Sequence, residues 1–180
     1  LTDSTTYRVT VCTNNPLEVG KGVIRSKTFY QGNQGEEKAQ LTNNYNFDGT
    51  LIKSSAVLSY TSDRLTQSVT YRDTVTMQQV LDSRKTTAPV SIQNTRQSIT
   101  TFEGNEGEEH ALRSFAFNFD GSKIKTFTNL VYVSDVLTDS TTYRVTVSTN
   151  NPLEVGTGVV KSKTFYQGNQ GEEKAQLTNN

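Results

Sequence analysis

The first 44 residues of this chain return almost letter for letter at 137–180, with four differences: Cys12/Ser148, Lys21/Thr157, Ile24/Val160 and Arg25/Lys161. A fixed period of 136 residues constrains the fold more than composition can, because each copy must adopt the same structure and meet its neighbours in the same way. The spacing predicts a tandem array seen through a window. Residues 1–44 read as the end of one repeat and 45–180 as one full period. Inside the period runs a second, looser repeat. NFDG at 46–49 returns at 118–121, and Ile52/Ile124, Leu58/Leu130, Tyr60/Tyr132, Ser62-Asp63/Ser134-Asp135 and Leu65/Leu137 keep the same 72-residue spacing. Past Tyr71-Arg72 and Tyr143-Arg144 the halves part. Tyr71 to Gly104 spans 33 positions and Tyr143 to Gly168 spans 25, so one half carries eight extra residues, placed between Gln78 and Gln97. The period thus divides into a long half-unit, 45–116, and a short one, 117–180.

Each half-unit reads as four strands. Side chains alternate with period two in TTYRVTVST (141–149), with Tyr143, Val145 and Val147 inward, and the next strand runs through GVVKSKTFY (158–166). In the third, Ala39, Leu41, Asn43, Tyr45 and Phe47 share a face, matched by Ala111, Arg113, Phe115, Phe117 and Phe119. The fourth follows Asp-Gly, with Ile52, Ala56, Leu58 and Tyr60 on one face and Ile124, Thr128, Leu130 and Tyr132 in the other copy. Asp-Gly between alternating runs predicts a tight primed hairpin turn. Helical spacing with caps is absent over any useful length. Pro16, Pro89 and Pro152 fall in linking segments, where a missing donor does no harm. The expected fold is all-β: an antiparallel β-sandwich, or a meander, built from tandem 136-residue repeats. The sandwich is favoured because two inward faces can bury each other.

Composition agrees. Thr (28) and Ser (16) make up nearly a quarter of the chain, and 16 Tyr and Phe supply the bulk of the core. Such residues suit a pleated, half-wet surface, which argues for strands over disorder. Lys+Arg and Asp+Glu balance at 18 each, so charge gives no reason to expect nucleic acid as a partner. No apolar run reaches the length of a membrane span. Cys12 stands alone, on the polar face of its strand, and its repeat partner is Ser148, so a disulfide framework within the chain is excluded.

Chemistry-bearing residues are few. The segments GNQGEE and GNEGEE offer Asn33, Glu36, Glu37, Asn105, Glu108 and Glu109 as oxygen ligands for calcium at the joints of a β-array. The competing reading is a hairpin corner with positive-φ glycines and a charged strand start that keeps the edge soluble. Asp48 and Asp120, beside glycine, read as turn residues. His110 is the only histidine, and its repeat positions hold Lys38 and Lys174, so a Ser-His-Asp system would exist in one half-unit only; no enzyme activity is expected. Asn-x-Ser/Thr sequons are absent, while the Ser/Thr content leaves O-linked glycans open.

The near-identical units, with their Thr/Ser/Asn/Gly-rich strands and short turn motifs, resemble the stalk repeats of large bacterial surface adhesins and fibrillar surface proteins. YNFDGTL and FNFDGSK are also similar to the Tyr-Asp repeats of RHS-type proteins, which wind a β-meander into a shell. The first resemblance implies a structural repeat of a long extracellular fibre or cell-surface stalk, whose partners are neighbouring repeats or copies of itself. An adhesin-type module gripping a glycan or protein through the 78–97 loop is the alternative.

Overall fold

A computed structural model describes residues 2–9 and 22–180. Cys12 and Pro16 lie outside the described residues. Eleven strands follow one another: β1 (Asp3–Arg8), β2 (Val23–Gln31), β3 (Lys38–Tyr45), β4 (Ile52–Thr61), β5 (Arg64–Tyr71), β6 (Arg96–Glu103), β7 (His110–Phe117), β8 (Ile124–Val133), β9 (Val136–Arg144), β10 (Val159–Gln167) and β11 (Lys174–Asn179). They form one antiparallel sheet whose spatial order is the chain order. Of the two arrangements expected from the sequence, this is the meander and not the sandwich. The chain divides into two compact units, Leu1–Ser59 with Thr70–Thr95, and Tyr60–Val69 with Arg96–Asn180.

The inward faces are buried by the segments that join β5 to β6 and β9 to β10. In the second unit a row in direct register runs Ile99, Phe115, Phe127, Tyr143, Val160 across β6 to β10. Ile99, Phe115, Phe117, Ile124 and Phe127 form the core with Val155 from the segment after β9, and Val69, Tyr143 and Val145 pack around them. The Phe127 and Tyr143 rings stack at 4.8 Å, and Arg113 lies 4.9 Å from the Phe127 centroid while its Nε donates to Asn129. On the opposite face the next row, Thr100, Ser114, Thr128, Thr142, Ser162, is all hydroxyl, with cross-strand bonds of 3.2 Å (Thr100–Ser114) and 2.9 Å (Thr128–Thr142).

In the first unit the cover is a helix that the sequence pattern missed. α1 (Met77–Ser83) is capped by a reciprocal pair: Thr76 Oγ1 accepts from the Gln79 N–H, and the Gln79 side chain accepts from the Thr76 N–H. The T-x-x-Q signal was in the sequence, but seven residues carry too few turns to show a period. Val75, Val80 and Leu41 are fully buried, and Val57 nearly so. Ser55 Oγ accepts the Val75 N–H at 2.9 Å, and Arg84 donates to the Gln40 side chain and to the Leu58 carbonyl.

Several expected faces are corrected by β-bulges. Phe117 pairs with Ile124, but Ala116 pairs with Thr126, so Lys125 is extra and the alternation flips. Phe127 is therefore buried, where Thr128 was expected inward. The same irregularity at Tyr45/Ile52 and Asn44/Ser54 buries Ser55 and Val57 instead of Ala56 and Leu58. Further bulges follow the GEE corners, as where Thr101 pairs with Arg113 and Phe102 with Ala111. The strand expected at 141–149 is β9, ending at Arg144, and Val147 is exposed. NFDG is not a tight primed turn either. Asn46 O accepts from Gly49 N–H, only the glycine has positive φ, and Asn46 Oδ1 takes the N–H groups of Thr50 and Leu51. That loop ejects Phe47 and Phe119, which are 82% and 85% exposed instead of inward. The tight turns are Ser62-Asp63 and Ser134-Asp135, where all four residues have positive φ, as a two-residue primed turn requires.

Truncating Phe127 to Ala should cost roughly 3–5 kcal/mol, typical of a buried aromatic; a urea midpoint unchanged from wild type would show that the row through β7, β8 and β9 is not the core.

Candidate functional site

The three corners sit at the β2–β3, β6–β7 and β10–β11 turns and share one geometry. The carbonyl of Asn33, Asn105 or Asn169 accepts from the N–H of Glu36, Glu108 or Glu172 at 2.9–3.0 Å. Gly32, Gly104 and Gly168 have φ of 137°, 123° and 148°, and a Cβ there would come within 2.6–2.8 Å of the Glu36, Glu108 or Glu172 carbonyl oxygen. No other residue fits.

The two glutamates of each corner take different roles. The first stays in the turn: the Asn33 amide reaches Glu36 at 3.4 Å and the Asn105 amide reaches Glu108 at 3.3 Å. The second turns away. Glu37 Oε2 accepts from Gly35 N–H and Glu109 Oε2 from Gly107 N–H, at 3.1 and 3.0 Å. In Glu109 and Glu173 the other oxygen reaches back to the preceding hairpin. Glu109 Oε1 accepts the Leu65 N–H at 2.9 Å, just past the Ser62-Asp63 turn. Glu173 Oε1 accepts the Leu137 N–H at 3.1 Å, just past Ser134-Asp135. The second glutamate is a clamp between adjacent turns on one edge of the sheet.

So of the calcium candidates, Asn33 and Glu36 come together, as do Asn105 and Glu108, whereas Glu37 and Glu109 engage backbone donors. Among the described residues no group of three or more His, Cys, Asp or Glu side chains is placed to share a metal ion. The clamped carboxylate of Glu173 is held below its usual range by its own N–H first and then by the Leu137 N–H. Asp48 and Asp120 are lowered in the same sense, by the hydroxyls of Thr50 and Ser122 first and then by the N–H groups of those residues. Both aspartates are turn residues, as read from the sequence.

An open groove of about 330 Å³ lies along this edge in the second unit, lined by Glu109, His110, Tyr132, Asp135, Leu137 and Glu173 among others. The His110 and Tyr132 rings sit 4.2 Å apart at 46°, and His110 Nε2 is 3.5 Å from Glu103. Burial raises the Tyr132 phenol first, then the charge of Glu173 and that of the Tyr166 phenol group. The lining holds no serine, threonine or cysteine. Leu65 and Leu137 were visible as a repeated pair, but their role is through the main-chain N–H, which no side-chain pattern reveals.

No protein-family model matches the chain, and no curated protein does. A solved protein of unknown function from Bacteroides fragilis NCTC 9343 aligns over 98% of this chain and 90% of its own length at 10% identity, with a TM-score of 0.16. At that level the likeness carries no argument about fold or activity.

Replacing Glu173 by Ala should speed hydrogen exchange at the Leu137 amide and leave Leu65 protected, with the reverse for Glu109→Ala; equal exchange in both variants would dismiss the clamp. A carboxylate with depressed pKa contributes stability above its unfolded value and loses it as pH falls through the folded one. With Glu173, Asp48 and Asp120 all lowered, the melting temperature should hold from neutral to about pH 4 and drop below it.

Proposed function

We propose that the chain is part of a structural repeat of a long extracellular fibre or cell-surface stalk, assembling by repeat-to-repeat packing. One observation carries this: each hairpin pairs only with the next in sequence, and the clamp between adjacent turns recurs with the same donor and acceptor at Glu109 and Glu173. Such a sheet lengthens by adding hairpins without altering those in place. β11 carries the sequence of β3, and β3 is paired on both edges, with β2 and β4. A following copy of residues 45–61 would meet β11 in the register β4 takes on β3. In this reading the 136-residue period is the building unit, and long and short half-units differ only in the segment that covers the sheet. The partners are neighbouring repeats or copies of the chain, outside the cell or at its surface. No helix among the described residues is long and apolar enough to cross a membrane.

The 78–97 segment gives the binding reading less to use than its length implied. Val80 of α1 is committed to the core, which leaves the exposed stretch 84–91.

Chains carrying one, two and three copies of residues 45–180 should give particles in negative-stain images whose length grows with copy number. Particles of constant length, or separate beads free to swivel, would sink the proposal. Since the corner carboxylates are already met by N–H donors, a chelator should leave the melting temperature unchanged; a drop of several degrees would restore the calcium reading.

A further inference from the structure

The corner that opens the groove of the second unit departs from its two relatives in one direction. Gln31, Gln34 and Lys38 are replaced here by Glu103, Glu106 and His110, whereas 167–174 repeats 31–38 letter for letter. Counting His110 as neutral, the net charge falls from −1 over 31–38 to −4 over 103–110. Glu103, Glu106 and Glu108 are exposed, as is Asp135 of the adjacent turn. Behind these carboxylates His110, Tyr132 and Leu137 give the groove an apolar wall. Glu109 and Glu173 are drawn onto the Leu65 and Leu137 N–H groups. An apolar slot with an acidic rim is complementary to an apolar side chain flanked by cations.

The opposite edge of the same unit presents such a group. β7 runs from the corner to the NFDG loop, eight residues and roughly 25 Å away. At the loop tip Phe119 is 85% exposed. Asp120 is turned back onto the Ser122 N–H at 2.8 Å. Lys123 and Lys125 follow the tip, Arg144 stands opposite Thr126, and all three cations are exposed. Glu154 is a countercharge on this edge, but its carboxylate is taken up by Thr149 and Asn151. Lys123 is Leu51 in the other half-unit. Corner and tip of one unit have thus both left the repeat pattern, with opposite sign.

We propose that the groove is a docking slot for a second copy of the chain, which inserts Phe119 against His110, Tyr132 and Leu137 and sets Lys123 against Glu106, Glu108 and Asp135. This rests on the reading of the chain as a repeat that packs with copies of itself, and it adds a lateral direction to lengthwise stacking. Slot and tip lie on opposite edges, so the contact is heterologous and copies add side by side without closing. Phe47 is the weaker knob: the Arg8 guanidinium lies 4.5 Å from its ring centroid, and Leu51 stands where Lys123 would be.

Sedimentation velocity of the 180-residue chain over a range of concentrations, at low and high salt, tests the contact. Particles should grow past a dimer with concentration and shrink when salt screens the rim. Phe119→Ala should weaken association about tenfold or more, as truncating a central aromatic anchor does, and Phe47→Ala should not. Returning the corner to the repeat sequence with Glu103→Gln, Glu106→Gln and His110→Lys, which the chain already carries twice, should weaken it as much. Lys123→Glu should abolish association, and adding Glu106→Lys to the same chain should restore it. A chain that is monomeric at every concentration overturns the proposal. So does a monomer whose groove binds oligoarginine, because the slot then belongs to a foreign basic partner. Association indifferent to Phe119→Ala and Lys123→Glu overturns it as well, since pairing between strand edges behaves that way. These readouts are independent of whether tandem copies lengthen in the microscope.

Discussion

A sheet one strand thick has two faces, and over β3–β4 and β6–β9 this chain covers much of one of them with its own connecting segments. In the second unit the apolar row from Ile99 through Phe115 and Phe127 to Tyr143 has nothing on the sheet to bury it. The segment after β9 must fold back and supply Val145 and Val155. That requirement explains local features that look unrelated. Val145 N–H reaches Lys125 O, and Ile124 N–H reaches Thr149 O, so the returning segment is held against the bulged start of β8. Bulging there lets Ile124 and Phe127, three positions apart, face the same way. The hydroxyl row behind them needs no cover, because threonine and serine can bond across strands and to water at once.

The two units meet the same requirement with different parts. One uses a helix and Val75 and Val80; the other uses a short 3-10 turn, Pro152–Glu154, stabilised by Asn151 and Thr149. The eight-residue difference between half-units falls in this cover and nowhere in the strands or corners. A cover segment tolerates insertion because its ends are fixed by strands already in place, and closing a longer loop costs little extra entropy. The corners have no such freedom. A glycine whose Cβ would strike the next carbonyl, and a glutamate that must reach the neighbouring turn, set their length.

Strand number, the corner turns and the alternation in β7 were legible from the sequence, since repeated turn residues and period-two patterning report on backbone geometry directly. What stayed hidden has a common cause: one-residue shifts. Lys125 and Lys53 read as ordinary outward residues, yet each is a bulge that reverses the face of everything after it on its strand. That is why Thr128 and Leu58 were placed inward in the positions held by Phe127 and Val57. Phe47 and Phe119 were misplaced for a related reason. They looked like the next step of an alternating strand, but the Asn46 and Asn118 side chains take the following N–H groups and end the strand one residue earlier. The clamps of Glu109 and Glu173 escaped because their partners are main-chain donors.

The fixed corners and variable covers bear on how such a sheet would carry load. Backbone ladders between adjacent strands resist sliding only while their register holds, and register is weakest where polar residues on both faces leave a shifted pairing nearly as good. β2 and β3 are of that kind: Lys27, Thr28, Thr42, Asn43 and Asn44 dominate the pair, and the apolar contacts in register are Phe29 with Leu41 and Tyr30 with Ala39. A glutamate clamp fixes the turn but not the far end of the hairpin. In β6 and β7 the Ile99–Phe115 pair holds the register by packing. On this argument β6 and β7 are held in register by burial, whereas β2 and β3 depend more on the fixed length of their corner.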